Sequence, residues 1–182
     1  MVLSFLFFAL FVAAWAWQQF STSSQMKTTL PTPVVTSVLG TTATGISQGS
    51  CHEQSGLPDP TCTPGSLNPS VTQATIYSTI CVKGYTKSIR PPLSYTENLK
   101  RQQIAAYGYT DTRLHDYEED HLIPLELGGN PSDPKNLWPE PGASPNAKDS
   151  IENICNEKVC SGQLTLLQAQ KEIATNWQTA CQ

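Results

Sequence analysis

Hydrophobic positions divide the chain into four regimes. Residues 1–17 are apolar almost without a break, interrupted only by Ser4. Residues 18–61 hold few large apolar side chains among many Ser, Thr, Gly and Pro. From residue 62 short apolar runs alternate with turn-forming clusters, and toward the C-terminus apolar positions recur every three or four residues. The β-branched and aromatic run 74–82 predicts a strand or extended segment. Arg90-Pro91-Pro92 predicts an extended entry into a helix over 94–107, with Ser94 and Glu97 at capping-box spacing and Gly108 as the stop.

Residues 117–139 read as two strands around a loop that contains Gly128, Gly129, Asn130, Pro131 and Pro134. A helix over 146–159 follows, closed by Ser161-Gly162. Thr165 and Gln168 form a second capping-box pair. They open an amphipathic helix to about Ala180, with Leu166, Ala169, Ile173, Trp177 and Ala180 on its apolar stripe. The fold class expected is α+β, a two-stranded hairpin plus helix flanked by further helices.

Composition adds boundaries. Residues 1–17 suit a secretory signal with Ala14-Trp15-Ala16 as a cleavage site. The first basic residue is Lys27, so an uncleaved membrane anchor is the alternative. Either places the remainder outside the cytoplasm, secreted or membrane-anchored. Residues 18–61 bury too little to offset chain entropy and read as a flexible linker. The domain is expected over 62–182. Six cysteines behind an export signal favour disulfides, and fifteen pairings are open. Cys155 and Cys160 do not pair within one helix, where five residues of rise separate them by roughly 8 Å.

The net charge of −4 gives no general attraction for nucleic acid, but its distribution does. From Lys83 to Arg113 six basic residues face two acidic ones, whereas from Leu114 onward four basic residues face eleven acidic ones. A basic arm beside an acidic centre suits a phosphate-binding surface next to a cation site. Arg90, Lys100 and Arg101 are the candidate phosphate contacts on that arm, and Lys148 a further one. His115 is a candidate second base. Glu118 and Glu119 could strengthen a cation site or raise the pKa of His121.

Asp120-His121, Gly128-Gly129 and Asn136-Leu137, followed by a helix with oxygen donors, resemble the HNH family of the ββα-metal, or His-Me finger, nucleases. The resemblance covers about residues 117–156. It implies a ββα-metal core and a secreted endonuclease that hydrolyses phosphodiester bonds of DNA, with RNA as a second substrate. His121 would be the general base, since an imidazole titrates near neutrality. Asn136 would hold the loop around it. One divalent cation, Mg²⁺ foremost with Mn²⁺ and Zn²⁺ as alternatives, would bind Asp120 and a helix residue. The family's helix position is a His or Asn, and no His follows His121. Asp149, Glu152 and Asn153 share one helix face, with Asn153 the first choice as metal ligand and Asp149 the second. The partner implied is nucleic acid, with no stable protein partner and no membrane contact beyond residues 1–17. The alternative is a non-catalytic extracellular binding module on the same fold.

Overall fold

The structure is a computed structural model, and it describes residues 48–182. The stretch read as signal or anchor, and most of the one read as linker, lie outside the described residues. Among the described residues no helix is long and apolar enough to cross a membrane.

Among the described residues four helices and one hairpin make a small α+β fold. In order these are α1 (Tyr85–Ile89), α2 (Leu93–Ala106), β1 (Tyr117–His121), β2 (Leu137–Pro141), α3 (Ala147–Cys160) and α4 (Leu166–Asn176). The strands pair antiparallel, with Glu118 opposite Glu140, Asp120 opposite Trp138 and His121 opposite Leu137. Helix α2 packs on the strands, while α3 packs on α4 and on the turn at Leu125–Leu127.

Local chemistry sets these boundaries. Asn146 caps α3 in a reciprocal capping box with Asp149, and Thr165 does the same for α4 with Gln168. The expected Ser94 cap does not form. Helix α2 starts one residue earlier behind Pro92, which has no side-chain cap bond; the pre-set proline backbone fixes the entry instead.

The run 74–82 is not a strand. Ile76–Ser78 forms a 3-10 turn. Thr72 N–H donates to Thr75 Oγ1 at 2.8 Å, and Thr79 Oγ1 donates to Thr75 O at 2.7 Å. Hydroxyls that bond nearby main chain compete with sheet pairing. Ile76 and Ile80 then both enter the core, four residues apart.

That core joins Leu122, Ile123 and Leu127 from the hairpin and its loop to Val159, Ala169 and Ile173 from α3 and α4. A second cluster holds Cys51, Ala106, Tyr107 and Trp138. Cys51 belongs to the stretch expected to be linker. Yet Gly49 and Cys51 donate backbone bonds to Ala105 O and Ala106 O, at 3.1 and 3.0 Å. Main-chain bonds, the Cys51–Cys62 disulfide and the Asp59 carboxylate, which accepts from His52 N–H at 2.9 Å, fasten residues 49–62 to the end of α2 and to one another.

The disulfides are Cys51–Cys62, Cys81–Cys160 and Cys155–Cys181. Cys155 and Cys160 take different partners, as helix geometry required. Three disulfides suit an oxidising, extracellular setting. Each stabilises by about 2–4 kcal/mol in the chain-entropy account, and Cys81–Cys160 closes the longest loop, 79 residues.

Candidate functional site

The hairpin loop is built around Asn136, which is fully buried at the entry to β2. Its Oδ1 accepts from Ile123 N–H at 3.0 Å. Its Nδ2 donates to Ile123 O at 2.9 Å and to Asn130 O at 3.1 Å. One side chain thus ties the exit of β1 to the far limb of the loop. The two glycines allow this closeness. A Cβ on Gly129 would lie 1.7 Å from Ile123 O. Gly128 has φ +77°, and a Cβ there would lie 2.6 Å from Val71 Cγ1.

The loop presents the Pro131 carbonyl to His121. His121 Nε2 lies 3.0 Å from Pro131 O. A carbonyl can only accept, so Nε2 carries the hydrogen and, in the neutral ring, Nδ1 keeps the lone pair. Burial holds the imidazole below its usual pKa, opposed by the Pro131 carbonyl and the Asp120 charge. His121 is therefore a neutral imidazole at neutral pH. It is 7% exposed, yet it borders two adjoining cavities, of about 60 and about 380 Å³. Arg90, Glu118 and Glu119 border both as well.

Asp120 is held from two sides. Its Oδ2 accepts from Trp138 Nε1 at 3.0 Å and its Oδ1 from Lys148 Nζ at 3.0 Å. Lys148 Nζ also donates to His121 O at 2.9 Å and to Glu152 Oε1 at 2.5 Å. Burial alone would lower the Lys148 ammonium; Asp120 and Glu152 outweigh it and hold the group above its ordinary value. Burial raises the Glu152 carboxyl, and contact with the ammonium opposes that.

Glu118, Glu119 and Glu126 line the smaller cavity, and Glu140 lies behind Glu118 on the neighbouring strand. Glu118 and Glu140, opposite each other on the strands, share the Asn146 amide, each at 3.1 Å. Burial raises Glu118, Glu126 and Glu140, the last to about 7. Glu119 is the extreme. Both of its oxygens are buried without a hydrogen-bond partner, and burial raises it from 4.5 to about 8.

That shift has a definite sign. Below about pH 4.5 Glu119 is protonated whether the chain is folded or not. Between 4.5 and about 8 the unfolded chain sheds a proton that the folded chain keeps, so stability falls as pH rises, by at most about 1.4 kcal/mol per unit. Glu119→Gln is therefore expected to be more stable than wild type in urea at pH 9 and equal to it near pH 4. Equal midpoints at both pH values would remove the buried-acid assignment.

The expected site residues are only partly brought together. Arg90, Asp120, His121 and Asp149 border the smaller cavity. Asp149 Oδ2 also takes the Asn146 N–H of the capping box, at 2.6 Å. Asn153 is exposed and donates to Asp149 O within its own helix, at 2.6 Å; it does not border either cavity. Helix α3 is rotated by its buried face, on which Lys148, Cys155 and Val159 lie, and this turns Glu152 inward and Asn153 outward.

Lys148 is not placed for a phosphate. It is 2% exposed and its three donors are spent. Lys100 donates to Leu114 O at 3.1 Å and Tyr117 O at 2.8 Å, fixing the start of β1 at the edge of the larger cavity. Arg101 bonds Asn98 Oδ1 and borders a different hollow, with Tyr109 and Thr112. His115 reaches the larger cavity as an exposed side chain.

The residues do not fit a divalent ion at the expected position. Both Asp120 oxygens are committed, Asn153 points elsewhere, and an ammonium lies between Asp120 and Glu152. Among the described residues no three His, Cys, Asp or Glu side chains converge as a metal-holding group. The roles of Trp138 and Glu140 had no sequence signal. The four-residue spacing of Lys148 and Glu152 was a readable sign of their pairing. No family model, curated protein or solved structure matches this chain.

Proposed function

We propose that this chain is a secreted endonuclease that hydrolyses phosphodiester bonds of nucleic acid, DNA foremost. The observation that carries the reading is the His121 ring, its Nε2 3.0 Å from Pro131 O, on the wall of a cavity that it shares with Arg90. The run from Asp120-His121 through Asn136 to α3 supports reading hairpin and helix as a ββα unit.

In this account Nδ1 of His121 takes a proton from a water as that water attacks phosphorus in line. The P–O bond to the leaving nucleoside breaks, and solvent returns a proton to the leaving oxygen. Arg90 meets the non-bridging phosphate oxygens; its exposed guanidinium suits a planar, paired contact. The neighbouring acids would repel a phosphodiester if all were ionised. Burial, which favours the protonated form of Glu118, Glu119 and Glu126, eases that repulsion.

The test is nicking of supercoiled plasmid by the disulfide-intact secreted chain, with Mg²⁺, with Mn²⁺ and with a chelator, beside Arg90→Ala. Wild type should convert plasmid to open circles, and Arg90→Ala should need more substrate for half-maximal rate. No turnover under any condition, with plasmid still retained in a binding assay, would replace the enzyme by a binding module.

A further inference from the structure

We propose that the Lys148 ammonium is the resident cation of this site: it occupies the facing oxygens of Asp120 and Glu152 in the intact protein, so that Asp120 takes up a divalent ion only once Lys148 is removed. Three acceptors, two carboxylate oxygens and one main-chain carbonyl, converge on one nitrogen: Asp120 Oδ1, Glu152 Oε1 and the main-chain oxygen of His121. An ammonium has three donors, so the match is complete. The Lys148 and Asp120 side chains are 3% and 9% exposed. A magnesium ion needs oxygens near 2.0–2.1 Å and keeps several waters, and this enclosed trio has no place for them while the lysine stays.

Lys148 is a positioning residue. It touches neither Nδ1 of His121 nor a substrate path. It pins the His121 main chain from α3, while Pro131 O holds the ring from the loop. Only its catalytic consequence rests on the reading of His121 as base. The groups that hold the ammonium all lie on α3 and β1.

The experiment therefore avoids cleavage. Wild type, Asp120→Asn, Lys148→Ala and the Lys148→Ala/Asp120→Asn double variant are titrated with MnCl₂ in a calorimeter and melted with and without Mn²⁺. Wild type and Asp120→Asn are expected to bind equal numbers of Mn²⁺. Lys148→Ala is expected to bind one more per chain and to melt at a higher temperature when Mn²⁺ is present, as any ligand of the folded state requires. The double variant should lose both gains.

Two results overturn the proposal: a wild-type Mn²⁺ that Asp120→Asn removes, or a folded Lys148→Ala that gains none. Should Lys148→Ala fail to fold in chelator, refolding with Mn²⁺ is expected to recover it, and no recovery counts against the proposal. The wild-type and Asp120→Asn pair decides the first point whether or not Lys148→Ala folds.

Discussion

His121→Ala is expected to fold and to cleave plasmid about 10²–10⁴-fold more slowly than wild type, the usual contribution of a positioned proton acceptor. The substitution removes one hydrogen bond, to Pro131 O, and little else that holds the loop. The Asn136 bonds and the packing of Leu122, Ile123 and Leu127 remain. Near-UV circular dichroism should therefore be close to wild type while the nicking rate collapses. The pH dependence follows from the same geometry. A base works only when unprotonated, and burial depresses the imidazole below its ordinary 6.5. The wild-type rate should hold level from neutrality into mildly acidic buffer and fall only below the ordinary imidazole range. Nicking by His121→Ala within a few-fold of wild type would remove the ring from the reaction.

Asn136→Ala is expected to lower stability by roughly 3–5 kcal/mol and to abolish cleavage. Two buried main-chain groups, Ile123 N–H and Ile123 O, and the half-buried Asn130 O lose their partner at once. An unsatisfied buried polar group costs about 1–3 kcal/mol. Asn136→Asp is not expected to rescue it. The carboxylate can still accept from Ile123 N–H, but its other oxygen would face two carbonyl oxygens. The functional loss follows because Asn130 also orders the turn beyond Pro131, through Oδ1 to Ser132 N–H and Asp133 N–H. With the loop released, Pro131 O no longer fixes the ring. Urea melts of both variants check this, and a loss under 1 kcal/mol would show that the loop stands without the amide.

Much of the α+β outline was legible. Asn, Thr and Gly at helix ends, and the Gly-Pro-Asn loop between apolar runs, carry local rules that hold without tertiary context. The unread parts depend on partners far along the chain. The run 74–82 has strand composition, but among the described residues no strand pairs with it and its threonines bond locally. Asn153 and Glu152 are adjacent on α3. Only the inward face fixed by Cys155, bonded to Cys181, and by Val159 decides which of them turns in. Lys148 read as a phosphate contact because buried lysines are rare. Its burial is visible only once β1 lies against the start of α3. The bonds of Gly49 and Cys51 to carbonyls at the end of α2 had no sequence signal for a similar reason.

His121 can take a proton from water only through a bare Nδ1. A two-bond proton–nitrogen correlation spectrum of the ¹⁵N-labelled, disulfide-intact chain at neutral pH reads this without substrate. The prediction is a neutral His121 ring with its hydrogen on Nε2 and an unprotonated Nδ1. A hydrogen on Nδ1, or a ring protonated at both nitrogens, would contradict it.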